Sequence, residues 1–293
     1  MSKNSSHLKL YLSMVFAILV WGLSWTNAKI AGRYADPQLL MFWRFIFASV
    51  TMVPLMLLFG IKPKLTRKSI PMVLLGAVFM VLYNFMYFKG TQVGQAGLGG
   101  VITTTLNPMI TYIFVVILFR KKVHQKEIFG VSLGVLGGLI LLKIWDVSAQ
   151  TLLDSGNIYF VAGAGIWAIV TITTQKAGTE MNVINFSFWI FFISIIFMTP
   201  FVLKYEILSI FTYDWIFWVN FLAISVGSLA IATTIFFRTT MKLGSEKSAS
   251  FVYIVPASAM LFAMIILGET LEWTTIVGGG FAIAAVYLIN RGS

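Results

Sequence analysis

The chain has 293 residues, of which 59% are hydrophobic and only 11% charged, and its mean hydropathy is +0.91. A soluble chain carries roughly 25% charged residues, so this one cannot cover itself in water and must meet lipid over most of its surface. Soluble enzymes, nucleic-acid binders and disulfide scaffolds are thereby excluded, the last also by the absence of cysteine, and the net charge of +11 is spread over short loops rather than gathered for a polyanion.

Ten apolar blocks follow one another along the chain. Tyr11–Ala28 and Leu39–Phe59 come first, then Pro71–Phe88, Leu98–Phe119 and Ile128–Ile144. The second half gives Ile158–Gln175, Ile184–Leu203, Trp215–Phe237, Ala249–Leu267 and Thr274–Ile289. Each has the length that a helix needs to cross a bilayer core of roughly 30 Å. The connections are short and carry nearly all the charge. Lys3 and Lys9 precede the first block, as in a signal peptide, but the block runs on through Trp21-Gly22-Leu23-Ser24-Trp25 with no small-residue cleavage site, which predicts an uncleaved helix.

Lysine and arginine set the orientation. With the N-terminus inside, the inner face collects Lys3, Lys9, Lys62, Lys64, Arg67, Lys68, Arg120, Lys121, Lys122, Lys126, Lys176, Arg238, Lys242, Lys247 and Arg291. The outer face holds only Lys29, Arg33, Lys89, Lys143 and Lys204, and Arg44 lies within the second block. That imbalance predicts both termini inside.

The two halves repeat. Trp21 recurs as Trp167, Phe42-Trp43 as Phe188-Trp189 and Pro54 as Pro200, each 146 residues on; Pro108 recurs as Pro256 and Gly130 as Gly278, each 148 on. Five crossings per copy is an odd number, so the second copy enters from the opposite side. The sequence thus predicts an all-α integral membrane protein of ten transmembrane helices arranged as two inverted five-helix repeats, 1–146 and 147–293, with N-in and C-in termini. Inverted repeats mark transporters, because two mirrored conformations of one fold can open to opposite faces. At the same offset Arg120-Lys121-Lys122, inside, meets Gly268-Glu269-Thr270, outside, where basic residues are disfavoured.

On these residues the chain resembles the drug/metabolite transporter superfamily, in its EamA-like transporter family, over essentially its whole length. Trp21-Gly22 with Lys29, Arg44, the run from Leu98 to Pro108 and Gly130–Leu142 carry the likeness in the first copy. Trp167 with Lys176, Ser248–Pro256, Leu267-Gly268-Glu269 and Gly278 carry it in the second. Two departures stand out: Arg120-Lys121 occupies the place of the family's usual Gly-Glu, and Ile190 stands where a faithful copy of Arg44 would put a base. The resemblance implies export of small metabolites, amino acids among them, by a multi-pass protein of the bacterial plasma (inner) membrane, as monomer or homodimer.

Polar residues at membrane depth are costly and carry the functional signal. Arg44 either snorkels to the outer headgroups or is a cavity cation that attracts a substrate carboxylate; both readings stand. No aspartate or glutamate falls inside a block, which argues against proton-coupled export through an intramembrane carboxylate. Neutral polar and aromatic residues recur at helical spacing: Trp21, Ser24 and Trp25; Tyr83 and Tyr87 with Asn84; Thr103, Thr104 and Asn107; Trp167, Thr171 and Thr174; Ser250 and Tyr253. Each alone fits interhelical bonding or an interfacial belt; as a set they predict a common substrate pathway of Trp21, Trp25, Arg44, Tyr83, Asn84, Tyr87, Thr104, Asn107, Trp167, Thr171 and Tyr253. Pro108 and Pro256 each remove a mid-helix hydrogen bond, giving either a broken helix at the site or a packing kink.

Gly130, Gly134 and Gly138, with Gly278–Gly280, Ala282 and Ala284, read as close helix packing, within the chain or between protomers. No Gly-Lys-Ser/Thr follows any glycine run, so nucleotide hydrolysis does not drive the protein. No catalytic constellation, metal site or cofactor is expected, and the partners are the bilayer and a small molecule, with no nucleic acid. A secondary carrier working by alternating access around a central cavity is the leading reading. A facilitative uniporter or exchanger of the same substrates comes second, and a membrane-embedded enzyme is remote.

Overall fold

The computed structural model describes residues 3–94, 96–148, 156–259, 262 and 273–291. The predicted ninth block is described only as far as 259 and at 262, so Gly268-Glu269 and Glu272 lie outside the described residues. The described residues are mainly helical: nine segments lie in the places of apolar blocks, and a short one, Ser245–Ser250, leads into the ninth block. They are α1 Lys3–Ala31, α2 Pro37–Leu58, α3 Ile70–Val93, α4 Ala96–Phe119, α5 Gln125–Leu141, α6 Asn157–Ala177, α7 Val183–Val202, α8 Trp215–Leu243, α9 Ser245–Ser250 and α10 Trp273–Arg291. Eight of them are long and apolar enough to cross a membrane; α5, at 17 residues, and the short α9 are not among these.

Local chemistry sets the ends. Pro37 begins α2, where its missing N–H costs nothing. Asn182 and Asp214 cap α7 and α8 by accepting from the N–H groups of Asn185 and Phe217. Arg120 ends α4 and Lys143 follows α5 with φ of 49° and 50°, a left-handed backbone that glycine usually supplies at a helix end. The α3 C-terminus is closed from outside, because Lys29 Nζ of α1 donates to the Gly94 carbonyl at 2.7 Å.

Two segments depart from a plain α-helix. Residues Ala223–Ala232 of α8 form a π-helix. After α9 the chain tightens into a 3-10 turn at Phe251–Ile254, just before Pro256. Pro256 has no N–H for the Val252 carbonyl, and the Val255 N–H takes that acceptor instead, which is the bond that tightens the turn. Pro108, by contrast, lies inside an unbroken α4.

Helix pairing exchanges the halves. α2 packs along α7 and α5 along α10, while α3 lies on α6 and α1 on α8. This is the pattern that a two-fold relation between α1–α5 and α6–α10 produces. Small residues make the closest approaches: a Cβ at Gly137 would stand 2.8 Å from the Gly278 carbonyl, and Gly130 likewise meets α10 of the same chain, whereas Gly134 meets the Tyr253 ring and Gly138 meets Thr105 of α4. Ile190 of α7, the counterpart of Arg44, is fully buried and lies over Gly76 of α3. Outward-facing positions such as Leu57, Ile117, Val219 and Ile283 are exposed apolar side chains, as lipid contact requires.

Candidate functional site

The helices enclose a cavity at the junction of the two halves. α1 contributes Trp21, Ser24 and Trp25, α2 contributes Arg44, and α3 contributes Tyr83, Asn84 and Tyr87. Thr103, Thr104 and Asn107 come from α4, Trp167 from α6, Ser228, Leu229 and Thr233 from α8, and Val252 and Val255 from the turn after α9. Nine of the eleven residues singled out in the sequence meet here, because the helical spacing that grouped them on each helix also turns them to one side.

The aromatic wall is built by contact between copies of the repeat. Trp21 and Trp167 meet edge to face at 5.4 Å between ring centroids. Tyr83 packs on Trp167 at 4.6 Å, and Trp25 on Tyr87 at 4.9 Å. Such edge and tilted contacts are favourable through the ring quadrupoles and hold the rings in place. Tyr87 donates its hydroxyl to the Ser24 carbonyl at 2.6 Å, and the Trp21 indole N–H reaches the Ser228 carbonyl at 3.4 Å.

Arg44 is 4% exposed and points inward rather than to the headgroups. Its Nε donates to the Ile224 carbonyl at 3.1 Å and its Nη1 to Asn84 Oδ1 at 2.7 Å, while the guanidinium lies 5.3 Å from the Tyr87 ring centre and 5.4 Å from that of Phe88. Asn84 is oriented for this by donating its own amide to the Met80 carbonyl. Ile224 belongs to the π-helical stretch, whose wider winding changes which carbonyls the helix satisfies internally. No carboxylate lies among the described lining residues. The charge is met by one carbonyl, one amide oxygen and two ring faces, and three of its five N–H groups have no acceptor among the described residues. A buried guanidinium in this condition attracts an anion strongly, above all a carboxylate that can take two of its N–H groups at once.

A second polar group belongs to the same lining. Asn107 donates its amide to the Ala164 carbonyl at 3.1 Å, but its Oδ1 is buried without a partner. It is therefore an acceptor awaiting a donor such as an ammonium group. Cation, acceptor and aromatic wall together suit a small zwitterion with an apolar side chain. At about 50 Å³ the cavity holds a few waters rather than a metabolite.

Two sequence-predicted residues lie elsewhere. Thr171 donates to the Trp167 carbonyl at 2.8 Å, while its own carbonyl accepts from Ser245 of α9. Tyr253 shares a face with Ser250, and that face packs on α5 and α10 rather than on the cavity, which Val252 and Val255 line instead: the Tyr253 ring lies on Gly134 of α5, where a Cβ would stand 2.4 Å from it, and its hydroxyl points to the Val131 carbonyl. Pro108 follows Asn107 and withholds the N–H that would have bonded the Thr104 carbonyl. Ser228 and Thr233 of α8 were not singled out in the sequence. Their only signal there is a set of four hydroxyl residues, with Ser225 and Thr234, in a largely apolar block.

A separate charged cluster lies in the turn between α4 and α5. Lys121 Nζ bonds Glu127 Oε1 at 2.7 Å and also pairs with Glu246 of α9. The Glu127 side chain is fully buried and accepts a further bond from the Tyr112 hydroxyl at 3.1 Å. Burial of the Lys121 ammonium acts to lower its pKa, but the two carboxylates outweigh this and hold it above the ordinary lysine value. Among the described residues no group of three histidine, cysteine or acidic side chains is arranged to hold a metal.

Comparison with known proteins places the chain among membrane carriers. The model of the EamA-like transporter family matches it twice, over residues 8–143 and 154–291. The chain is similar to "Uncharacterized transporter YyaM" of Bacillus subtilis, at 23% identity over 96% of this chain and 93% of that protein. It is likewise similar to "Uncharacterized transporter YetK" of Bacillus subtilis, at 25% identity over 95% and 86%. The "Probable amino-acid metabolite efflux pump" of Salmonella typhimurium is 22% identical over 94% of this chain and 92% of its own. A solved crystal structure shares the fold with a TM-score of 0.74 at 16% identity, over 96% of each chain.

Proposed function

Because the chain belongs to the EamA-like transporter family, matched in two successive stretches that span nearly all of it, we propose that it exports small carboxylate-bearing metabolites, amino acids among them, as a secondary carrier. The observation that carries this reading is Arg44, a buried cation with no carboxylate partner among the described residues, set against an aromatic wall and the open acceptor of Asn107. The name of the Salmonella relative lends the amino-acid class support. Ten crossings with both termini on the inner side of a bacterial plasma membrane, and two inverted copies of the five-helix unit, complete the reading. Transport proceeds by alternating access: Trp21 and Trp167, one from each half, separate on one side of the cavity and then on the other.

A facilitative exchanger of the same substrates is the second reading, favoured by the lack of any carboxylate or histidine among the described residues of the cavity wall. Counterflow in proteoliposomes loaded with single amino acids and related acids, with and without a pH gradient, tests both. Exchange that occurs only with a gradient favours proton coupling, and exchange without one favours the facilitative route. Exchange of organic cations but not of carboxylates would refute the assignment.

A further inference from the structure

α3 and α4 are joined through residues 94–96 and diverge from there, each packed along α6 while scarcely touching the other. Their far ends leave a groove of about 410 Å³ with α6 as its floor. Met72 and Leu75 line one side, Ile117 and Leu118 the other, and Ile172 the floor, with Lys176 at the mouth. Ile117, Leu118 and Leu75 are 65%, 57% and 42% exposed, so the groove is an open apolar surface. From Ile169 to Lys176 it runs about 10 Å along α6, roughly two thirds of one leaflet's hydrocarbon depth.

The mouth is basic. Lys176 is exposed, lies 5.7 Å over the Phe119 ring and has no carboxylate within 4 Å among the described residues. Arg120 follows Phe119 directly, and Arg67 and Lys68 precede Met72 at the start of α3. An apolar slot about two thirds of a leaflet deep, with Lys176 at its mouth, complements the upper part of one acyl chain under an anionic headgroup. We propose that the groove binds an anionic phospholipid, one acyl chain lying between α3 and α4 and the phosphate held by Lys176. A zwitterionic lipid would fill the same slot without that pairing, and basic rims between membrane helices select anionic headgroups by simple charge attraction.

The test is native mass spectrometry of the delipidated full-length protein titrated with phosphatidylglycerol and with phosphatidylcholine of the same chains. The wild-type protein is expected to retain phosphatidylglycerol in preference. Lys176→Gln should reduce that preference about five-fold, Lys176→Arg should keep it, and Leu118→Trp, which fills the groove, should reduce retention of both lipids. Lys176 is exposed, so its variants report on the headgroup even where Leu118→Trp perturbs folding. Equal retention of the two lipids by the wild type, or an unchanged preference in Lys176→Gln, would overturn the proposal. So would a dimer that Leu118→Trp abolishes in the absence of lipid, since the groove would then belong to a second copy of the chain.

Discussion

Arg44 and Lys121 are both cations drawn in from water, and the company each keeps differs in kind. Lys121 is met by two carboxylates on two other helices, Glu127 at the start of α5 and Glu246 in α9. Arg44 is met by a carbonyl, an amide oxygen and two aromatic faces. A charge satisfied by opposite charges has little attraction left for a ligand and acts as a fastener between elements. A charge held by neutral groups is positioned and still wants a counter-ion. On the proposed function, the same residue class serves anchoring in one region and recognition in the other, and the partners rather than the cation decide which.

The largest effect that would break this comparison is on stability. Lys121→Met leaves the buried Glu127 without its ammonium partner and should cost about 3 kcal/mol, read as a lower melting temperature in detergent. Adding Glu127→Gln to it should recover much of the loss, as removing both charges of a buried pair does. If Lys121→Met melts like the wild type, the cluster is no fastener. Next comes Arg44→Gln, which should lower exchange of carboxylate substrates at least about thirty-fold while leaving melting little changed. A variant that transports normally would move Arg44 from recognition to structure.

A smaller effect concerns Arg120, whose left-handed backbone stands where the family usually has glycine. Arg120→Gly should raise stability by about 1 kcal/mol, measured by the same melts, and no gain would mean that contacts of the side chain offset the strain. The smallest is a pH dependence. The pKa of Lys121 is raised above its ordinary 10.5, so its contribution is fully present below that value and is lost as pH rises through the higher, folded-state one. Melting temperature should therefore fall more steeply above about pH 10.5 in the wild type than in Lys121→Met. Parallel curves would show that the pairing does not respond to charge.

Much of this was legible in the chain. Hydropathy alone marks the helices, because lipid demands long apolar runs and leaves charge only at their ends. The cavity residues of α1, α3 and α4 were legible because polar side chains spaced three and four apart on an α-helix share a face. The same rule grouped Ser250 with Tyr253 correctly but could not say which way their shared face turns: it packs on α5 and α10, and Val252 and Val255 face the cavity. Ser228 and Thr233 were hidden because they stand five residues apart, outside the spacing of three and four that marks an α-helical face, in a block that reads as largely apolar. Lys121 could be seen as a departure from the family pattern. Its partner Glu246 is 125 residues away, however, and only the folded chain brings the compensating charge beside it.

Arg44 and Ile190 hold matching places in the two copies, and they have diverged as far as two side chains can, one a partly satisfied cation and the other a buried hydrocarbon lying on Gly76. A carrier whose halves were identical would rest indifferently open to either side. Under the alternating access proposed above, unequal halves make the two forms unequal in free energy, and the difference between these positions would bias the side on which the empty protein rests.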